Sequence, residues 1–400
     1  MAKLPAAFTE KTRQLMGEER FERYLQSFEE DAPVSIRLNP MKAADMEVID
    51  GECVPWCQEG YYLPKRPNFT MDPLLHAGCY YVQEASSMFI THVLRQYVKI
   101  PVNMLDMCAA PGGKSTAAIA TLPAGSTLCA NEPIHQRANI LKENITKWGY
   151  PDCTVTNLYP RDVRKSKAHY DVILCDVPCS GEGMFRKDEA TIREWSPQNV
   201  EKCWQLQREI VSEAWKCLND GGLFIYSTCT FNTKENEENV RWIMQELDAQ
   251  ILPVEIQPEW NITGSLLEGF NEPVYRFIPG ITRGEGLFLC VLKKRGKRND
   301  YRQNDKALTI LSPLTSHLSP LRVELSYQQA IAYLRGEALV LPEDTPRGIV
   351  EVSFMGYPLG QMKNIGTRAN NLYPKEWRIR TTHIPNDYEA ILRHTEQNTD

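Results

Sequence analysis

Between residues 102 and 294 the chain repeats one pattern, and that pattern restricts the fold more than any other feature. Five short apolar runs, VNMLDMC (102–108), STLCANE (126–132), DCTVTN (152–157), YDVILCD (170–176) and LFIYSTCT (223–230), recur at intervals. Between them lie stretches of helical period: KSTAAIATL, HQRANILKENITKWG closed by Gly149, and PQNVEKCWQLQREIVSEAWKCLNDGG stopped at Gly221. Parallel strands need long crossovers, usually helices, so the alternation dictates βαβ units and an α/β fold on a twisted, mainly parallel sheet. LFLCVLKK (287–294) supplies one more strand and closes a domain over 99–294.

The pattern changes on both sides. Residues 1–98 read as a helical and mixed N-terminal extension. FTEKTRQLMGEERFERYLQSFEE carries apolar residues at helical spacing until Asp31-Ala32-Pro33 stops the helix, and VSIRLNP is a short strand. Residues 53–80 read as irregular, because Pro55, Gly60, Pro64, Pro67 and Pro73 interrupt their aromatics. YYVQEASSMFITHVLRQYV then passes from strand to helix, ending near Val98. The run KKRGKRNDYRQNDK (293–306) reads as a linker, assigned to 295–310, with an RNA-contacting tail as the other reading. Residues 311–400 form a small α+β unit, with a helix in SYQQAIAYLRG and strands in GIVEVSFMGYPLGQMKNIG.

Composition removes several classes. No run of about 18 apolar residues is present, which excludes a membrane-spanning helix, and the charged N-terminus lacks the apolar core of a secretory signal. Twelve cysteines without a leader point to reduced thiols and a cytoplasmic location. Cys53-x3-Cys57 and Cys175-x3-Cys179 lack partners at zinc spacing, so no metal is expected. With 45 basic and 51 acidic side chains the net charge is −6, which by itself argues against a nucleic-acid partner. The sum hides its distribution: SFEED and ENEEN, read as acidic helix faces, offset basic clusters at 293–306 and 363–380. A monomer is expected.

The turn after the first strand suggests a ligand. Asp106 is followed by Met107-Cys108-Ala109-Ala110-Pro111-Gly112-Gly113-Lys114-Ser115-Thr116, and a glycine-rich turn lets a ligand approach the backbone and the next helix N-terminus. Gly-Lys-Ser resembles the end of a P-loop, but Cys108 stands where that motif needs glycine, which disfavours a triphosphate site. Glu132 closes the second strand, where a carboxylate accepts hydrogen bonds from a ribose diol. A nucleoside without a pyrophosphate describes S-adenosylmethionine. Taken singly, Asp106 also reads as a helix cap and Glu132 as a surface residue.

Two cysteines complete the reading. The fourth strand runs into Asp176-Val177-Pro178-Cys179-Ser180-Gly181, and the fifth into Ser227-Thr228-Cys229-Thr230. Neighbouring strands lie about 4.8 Å apart, so the two thiols would share a pocket at the strands' carboxyl ends. Cys129, Cys175, Cys217 and Cys290 lie within apolar runs and read as buried hydrophobes. A thiolate beside a methyl donor suits methylation of pyrimidine carbon 5: addition at carbon 6 makes carbon 5 nucleophilic, and a carboxyl such as Asp176 can hold the base edge at N3.

LDMCAAPGGKST, CDVPCSGEGMFRKD and YSTCTFNTKENEENV resemble the Nol/Nop/Sun family of RNA (cytosine-5) methyltransferases. VSIRLNP, GYYLPKRPNF and PLLHAGCYYVQEASSM are similar to that family's N-terminal region, and GYPLGQMKNIGTRANNLYPKEWR to the PUA-like RNA-binding module of its RsmF-like branch. The resemblance covers nearly the whole chain. It implies a Rossmann-like class I methyltransferase domain, S-adenosylmethionine as cofactor, and small-subunit (16S) ribosomal RNA as substrate. It further implies that Cys229 is the nucleophile, that Cys179 assists release of product, and that Cys108, Ala109, Ala110, Pro111, Gly112, Gly113 and Lys114, with Glu132 and Asp176, form the cofactor and base site. The chain departs from the family at Asn157-Leu158, where an acidic residue often stands; Asp162 is the expected substitute.

RNA contacts are sought in Lys363, Arg368, Lys375, Arg378 and Arg380, interleaved with Tyr357, Tyr373 and Trp377, a cluster that reads equally as a solvated face. Arg186 and Lys187 are candidates for steering a phosphate. A tRNA target and a catalytically silent RNA-binding assembly factor are the competing readings; the retention of both thiols and Asp176 argues against the second.

Overall fold

The computed structural model describes residues 4–296, 322–381 and 383–395. Its centre is an eight-stranded sheet of β1 (Asn103–Asp106), β2 (Thr127–Asn131), β3 (Cys153–Thr156), β4 (Tyr170–Asp176), β5 (Leu218–Thr228), β6 (Ala249–Ile251), β7 (Tyr275–Phe277) and β8 (Leu287–Lys294). The order is β6-β8-β5-β4-β1-β2-β3, with β7 added on β8. Strands β1 to β5 run parallel, as the helical crossovers demand, while β8 is antiparallel to β5, β6 and β7. The strand order reverses between β1 and β4, and in such sheets the crevice outside the carboxyl ends at this point binds ligands.

The helix Pro197–Cys217 ends earlier than its glycines suggest, and β5 begins at the next residue. Gly221, at φ 73°, sits inside the irregular register between Leu218 and Leu223, so it shapes a kink in the strand rather than stopping the helix.

The N-terminal region departs from expectation twice. The first helical stretch is two helices, Ala6–Met16 and Glu18–Gln26, because Gly17 adopts φ 76° between them. Residues 53–63 are not irregular, whereas 64–79 hold only loops and short helical turns. Glu52–Val54, Cys57–Leu63, Val34–Leu38 and Tyr80–Val82 form a four-stranded antiparallel sheet in that order. The breakers mark its edges: Pro55 lies in the turn between the first two strands and Pro64 just beyond the second. Gly60 stays inside a strand because any Cβ there would meet Met88 Sδ at 2.7 Å.

The C-terminal unit pairs Gly348–Phe354 with Tyr357–Asn364, flanked by Arg322–Glu324 and Ala369–Asn371. Its helix, Tyr327–Leu334, opens on a capping box between Ser326 and Gln329. This unit is not a detached module. Val352, Leu359, Met362 and Leu392 share one apolar core with Ile36, Leu38, Leu74 and Tyr80 of the N-terminal region, and Leu392–His394 pairs with Met46–Val48. The linker reading at 295–310 falls almost wholly outside the described residues; Lys293 and Lys294, which begin the basic run, belong to β8.

One fully buried ion pair fastens the antiparallel edge to the parallel core. Arg276 of β7 grips Glu237 of the helix Glu237–Glu246, with its Nε 2.9 Å from Glu237 Oε1, and donates a further 2.8 Å bond to the Phe231 carbonyl. Removing one partner leaves a buried charge without compensation, which costs about 3–5 kcal/mol. Glu237→Ala is therefore expected to lower unfolding stability by that amount in urea titration, and the apolar pair Arg276→Met with Glu237→Leu to recover most of it.

Candidate functional site

The site is built on the carboxyl ends of β1, β4 and β5. Beyond β1 the chain is pinned to both neighbours: Met107 N–H donates to Leu174 O (2.9 Å) and Ala109 N–H to Asn131 O (2.8 Å). Gly112 then turns at φ 112° and caps the helix Gly113–Thr121. A side chain there would be strained, and its Cβ would lie 3.1 Å from Leu141 Cδ1. Cys108, Ala109, Ala110 and Gly112 are thereby buried along the loop, with Pro111 exposed at its crest. The first N–H groups of the following helix carry the positive end of its dipole.

Lys114 links this loop to β4. Its Nζ lies 2.8 Å from Asp176 Oδ2, and the other carboxylate oxygen accepts from Ser227 Oγ at 2.7 Å. Burial works to lower the Lys114 pKa, but the Asp176 carboxylate outweighs it and holds the ammonium above its ordinary value. Asp106 lies beneath, 1 % exposed, accepting from Ser115 Oγ at 2.6 Å. It is not the cap of the following helix that the simpler reading expects: that cap is Gly112, and Asp106 instead holds the Ser115 side chain.

Glu132 lies just past the end of β2 and is only 1 % exposed. Its Oε1 accepts the Ile134 N–H (3.0 Å), while Oε2 is buried without a hydrogen bond and meets only Arg137, at 3.4 Å. A buried carboxylate oxygen with free lone pairs beside a glycine turn fits a ribose diol, which would satisfy it. Asn157 is committed elsewhere: its Nδ2 donates to the carbonyls of Glu132 (2.7 Å) and Pro133 (2.9 Å). Asp162 lies in the short helix Pro160–Lys165, 3.1 Å from Lys165 Nζ. Asn131 was not legible as functional, yet its buried amide bonds Met107 O, Leu158 O, Leu158 N–H and Thr156 Oγ1, tying the ends of three strands together. An asparagine closing an apolar strand was the only available signal.

β4 and β5 are neighbours, in register through Asp176 and Ser227. Cys179 Sγ and Cys229 Sγ stand 3.1 Å apart as free thiols, and the Cys229 N–H donates to Cys179 Sγ at 3.3 Å. Its hydrogen bond with Cys229, and then its burial, hold the Cys179 thiol well above the usual thiol range, so that it keeps its proton. The other expected structural thiols are buried at Cys175, Cys217 and Cys290, whereas Cys129 is half-buried with Sγ 3.6 Å from Thr156 Oγ1.

Two carboxylates absent from the sequence reading hold the cysteine loops together. Glu182 Oε2 accepts the N–H groups of Phe231 (2.7 Å) and Asn232 (2.9 Å). Glu235 Oε2 accepts from Ser180 N–H (3.0 Å) and Gln207 Nε2 (2.7 Å), and burial raises its pKa. The ENEEN run is therefore no solvated acidic face: Glu235, Asn236, Glu237 and Asn239 are all buried. Gly183 donates to Cys229 O at 2.8 Å and packs against Gly286, where a Cβ on Gly183 would come 2.7 Å from Gly286 Cα.

Two further expectations change. Arg186 does not face a phosphate: its side chain is 6 % exposed, 3.1 Å from Glu285 and bonded to the Glu30 carbonyl, because it anchors the N-terminal helices. Lys187 is exposed. In the C-terminal cluster Tyr373 is buried in the core and is not free to stack on a base, while Tyr357 is half-buried, with its hydroxyl on Asp45 at 2.7 Å and its ring stacked with His394. Arg378 is half-buried, donating to the Tyr373 carbonyl at 3.4 Å, and Trp377 is half-buried under Lys147; Lys363, Arg368, Lys375 and Arg380 are exposed.

Fold and site together define a Rossmann-like methyltransferase domain carrying an N-terminal domain and a C-terminal PUA domain. Family models match in three consecutive blocks: the N-terminal domain of 16S rRNA methyltransferase RsmF over residues 4–85, 16S rRNA methyltransferase RsmB/F over 99–293, and the methyltransferase RsmF PUA domain over 320–379. The chain belongs to this RsmB/F methyltransferase family. It is 32 % identical over 314 residues to the ribosomal RNA small subunit methyltransferase F of Pectobacterium atrosepticum, covering 74 % of this chain and 63 % of that protein. With the protein of the same name from Cronobacter sakazakii it shares 28 % over 403 residues, 81 % of this chain and 84 % of the relative. A methyltransferase homolog from Pyrococcus horikoshii superposes with a TM-score of 0.61 at 25 % identity, over 72 % of this chain and 94 % of its own. NSun6 from the same organism gives 0.60 at 19 %, over 73 % and 99 %, and shares the fold. Among the described residues no helix is long and apolar enough to cross a membrane, and no three His, Cys, Asp or Glu side chains gather to hold a metal.

Two measurements probe this geometry. Gly286→Ala drives a methyl group against Gly183 Cα and Phe231 Cζ, parting the two cysteine loops; turnover is expected to fall at least about tenfold with cofactor affinity retained. Burial pushes the Asp106 carboxyl up to about 7, against its Ser115 hydrogen bond and with help from Asp176. The cofactor-free fold therefore keeps a proton that the unfolded chain releases near pH 4, and stability is lost as pH rises from about 4 to 7. Relative to wild type, Asp106→Asn is expected to gain about 2–4 kcal/mol across that window in urea titrations.

Proposed function

We propose that the protein is an S-adenosylmethionine-dependent methyltransferase acting on carbon 5 of a cytosine in RNA, with small-subunit ribosomal RNA as substrate. The observation that carries this reading is the pair of free thiols 3.1 Å apart at the ends of β4 and β5, beside Asp176 and Lys114. The names of the relatives support the ribosomal target. The reduced thiols suit action in the cytoplasm, as a monomer. When bound, S-adenosylmethionine supplies an electrophilic methyl group next to carbon 5.

Cys108 to Lys114 and Glu132 would hold that cofactor, with the orphaned Glu132 oxygen on the ribose. Asp162 is retained as the acidic contact on the adenine side. Cys229 is the nucleophile: its sulfur bonds to carbon 6, the carbon 5–carbon 6 π pair shifts toward carbon 5, and Asp176 holds the base edge at N3. In the closing step a solvent water takes the carbon 5 proton, the double bond re-forms and the bond to Cys229 breaks; Cys179, protonated and adjacent to that sulfur, assists by hydrogen bonding to the departing thiolate. A stacked or paired cytosine must first be splayed out to reach these side chains.

Cys229→Ala is expected to abolish methyl transfer while retaining cofactor binding; residual turnover would reassign the nucleophile. Cys179→Ser is expected to accumulate a covalent protein–RNA species on a denaturing gel, and its absence would mean that the thiols have other roles. Bisulfite sequencing of total RNA from cells lacking the protein should lose one methylated cytosine, in small-subunit rRNA; loss at a tRNA site instead would favour the competing substrate.

A further inference from the structure

The helix Pro197–Cys217 turns one stripe inward through Val200, Gln207, Ile210, Val211 and Ala214. Gln207 stands seven residues from Val200 and three and four from Ile210 and Val211, so it shares their face. It is 0 % exposed, at a position where the helical period calls for an apolar side chain. A buried amide costs desolvation unless its donors and acceptor are paired, and the partners it finds show what it holds.

Both of its amide hydrogens are committed to the turn that carries Cys179. Nε2 donates to the Pro178 carbonyl at 2.9 Å and to Glu235 Oε2 at 2.7 Å. That orientation is forced, because the Pro178 oxygen can only accept. On the other side, Asn239 Nδ2 of the helix Glu237–Glu246 donates to Gln207 Oε1 at 2.8 Å. Asn239 is oriented in turn by Arg208 Nε, which can only donate and lies 3.0 Å from Asn239 Oδ1. The polarity therefore runs one way, from Arg208 through Asn239 and Gln207 to the turn.

These bonds bracket Cys179. The Pro178 carbonyl belongs to the peptide plane before Cys179, and the Ser180 N–H, held by Glu235 at 3.0 Å, to the plane after it. The two planes together define φ and ψ of Cys179, and so where its sulfur stands. Gln207 holds the first plane directly and the second through Glu235. The Cys229 loop has supports of its own. Glu182 accepts the Phe231 and Asn232 N–H groups, Gly183 N–H donates to the Cys229 carbonyl at 2.8 Å, and Asn232 Nδ2 donates to Glu235 Oε1 at 2.7 Å. Loss of the Gln207 donors would displace one sulfur of the pair and spare the other.

We propose that Gln207 is a positioning residue for Cys179, acting on the closing step of the reaction and not on the attack by Cys229. The inference rests on the reading of Cys179 as the thiol that assists that step. As the bond from carbon 6 to Cys229 breaks, its electron pair stays on the Cys229 sulfur, and the Cys179 S–H meets that thiolate only from hydrogen-bond distance. A misplacement of about 1 Å costs on the order of a hundredfold in rate. The test separates the two halves of the reaction in full-length Gln207→Met, which keeps the length of the side chain and removes both donors. Single-turnover methyl transfer from S-adenosylmethionine to naked small-subunit ribosomal RNA is expected within about twofold of wild type, while steady-state turnover falls at least about tenfold. The covalent protein–RNA species is expected to persist on a denaturing gel, as in Cys179→Ser. Should Gln207→Met fail to fold, Gln207→Glu carries the test: it keeps the shape and the oxygen facing Asn239, offers at most one donor in place of two, and is expected to split the two halves in the same direction. A loss of single-turnover transfer as large as the loss of turnover would make Gln207 a packing residue only and overturn the proposal, as would wild-type turnover in the variant. An adduct in Cys179→Ser but none in the Gln207 variant overturns this inference alone. No adduct in Cys179→Ser overturns the reading of Cys179, and this inference with it.

Discussion

Everything at the reacting site depends on two buried carboxylates that hold one loop against another. A thiol pair at 3.1 Å cannot be fixed by strand pairing alone, since both cysteines lie beyond the last paired residues of β4 and β5. Glu182 and Glu235 supply what pairing cannot. Each comes from one loop and accepts backbone N–H groups of the other: Glu182 those of Phe231 and Asn232, Glu235 that of Ser180. Charge-assisted bonds of this kind are about twice as strong as neutral ones. The reciprocal arrangement also satisfies backbone donors that would otherwise be buried without partners. Gly183 follows from it, because loops drawn together so closely leave no room for a Cβ, which would lie 2.9 Å from the Cys229 carbonyl oxygen; Gly286, at the entry to β8, packs against the same glycine from a third segment.

The same economy governs charge at the mouth of the site. Asp106, Asp176 and Glu132 bring three carboxyl groups to the ends of adjacent strands. The structure gives each a different partner. Asp106, deepest, is driven toward its neutral form. Asp176 is compensated by Lys114 and Ser227 and faces outward as the available hydrogen-bonding group. Glu132 is set apart on β2 with Arg137, whose guanidinium also reaches the Ala110 carbonyl at 2.9 Å. One set of partners per carboxyl group distinguishes three similar acids, and it is compatible with the roles proposed for Asp176 at the base and Glu132 at the ribose.

Much of this was legible in the sequence, and the remainder was hidden for physical reasons. Periodicity identified β1 to β5 and their crossovers, since burial on both faces of a parallel sheet imposes continuous apolar runs. The two cysteine loops were legible because Pro-Cys-Ser-Gly and Ser-Thr-Cys-Thr follow strand ends directly. Residues 53–80 misled because Pro55 and Pro64 lie just outside strand ends, where proline does no harm, and composition does not distinguish an edge from an interior. Glu235 and Glu237 misled for a different reason. A run such as ENEEN reads as solvated when its partners are unknown, and those partners, Ser180 and Arg276, lie 55 and 39 residues away. Arg186 reads as a free cation on the same ground, with Glu285 99 residues distant.

Reassigning those charges hardly alters the net charge of −6, because four glutamates and three arginines are withdrawn together; what it changes is which charges face outward. Glu182, Glu235, Glu237 and Glu285 are buried carboxylates serving backbone donors or arginines, so they contribute little to the field an approaching RNA meets. Arg37, Arg186 and Arg276 are withdrawn in the same way: Arg37 is 1 % exposed, bonded to Gln83 and Thr116 with its guanidinium over the Trp148 ring. What remains outside in the C-terminal unit includes the exposed Lys363, Arg368, Lys375 and Arg380, on a unit whose core is fused to the N-terminal sheet. A cationic surface held rigidly relative to the reacting site favours one orientation of a shaped RNA over general phosphate affinity, because few counterions are released wherever the shape does not match. The modest net charge is then a consequence of discrimination by geometry, and it is compatible with an RNA substrate for that reason.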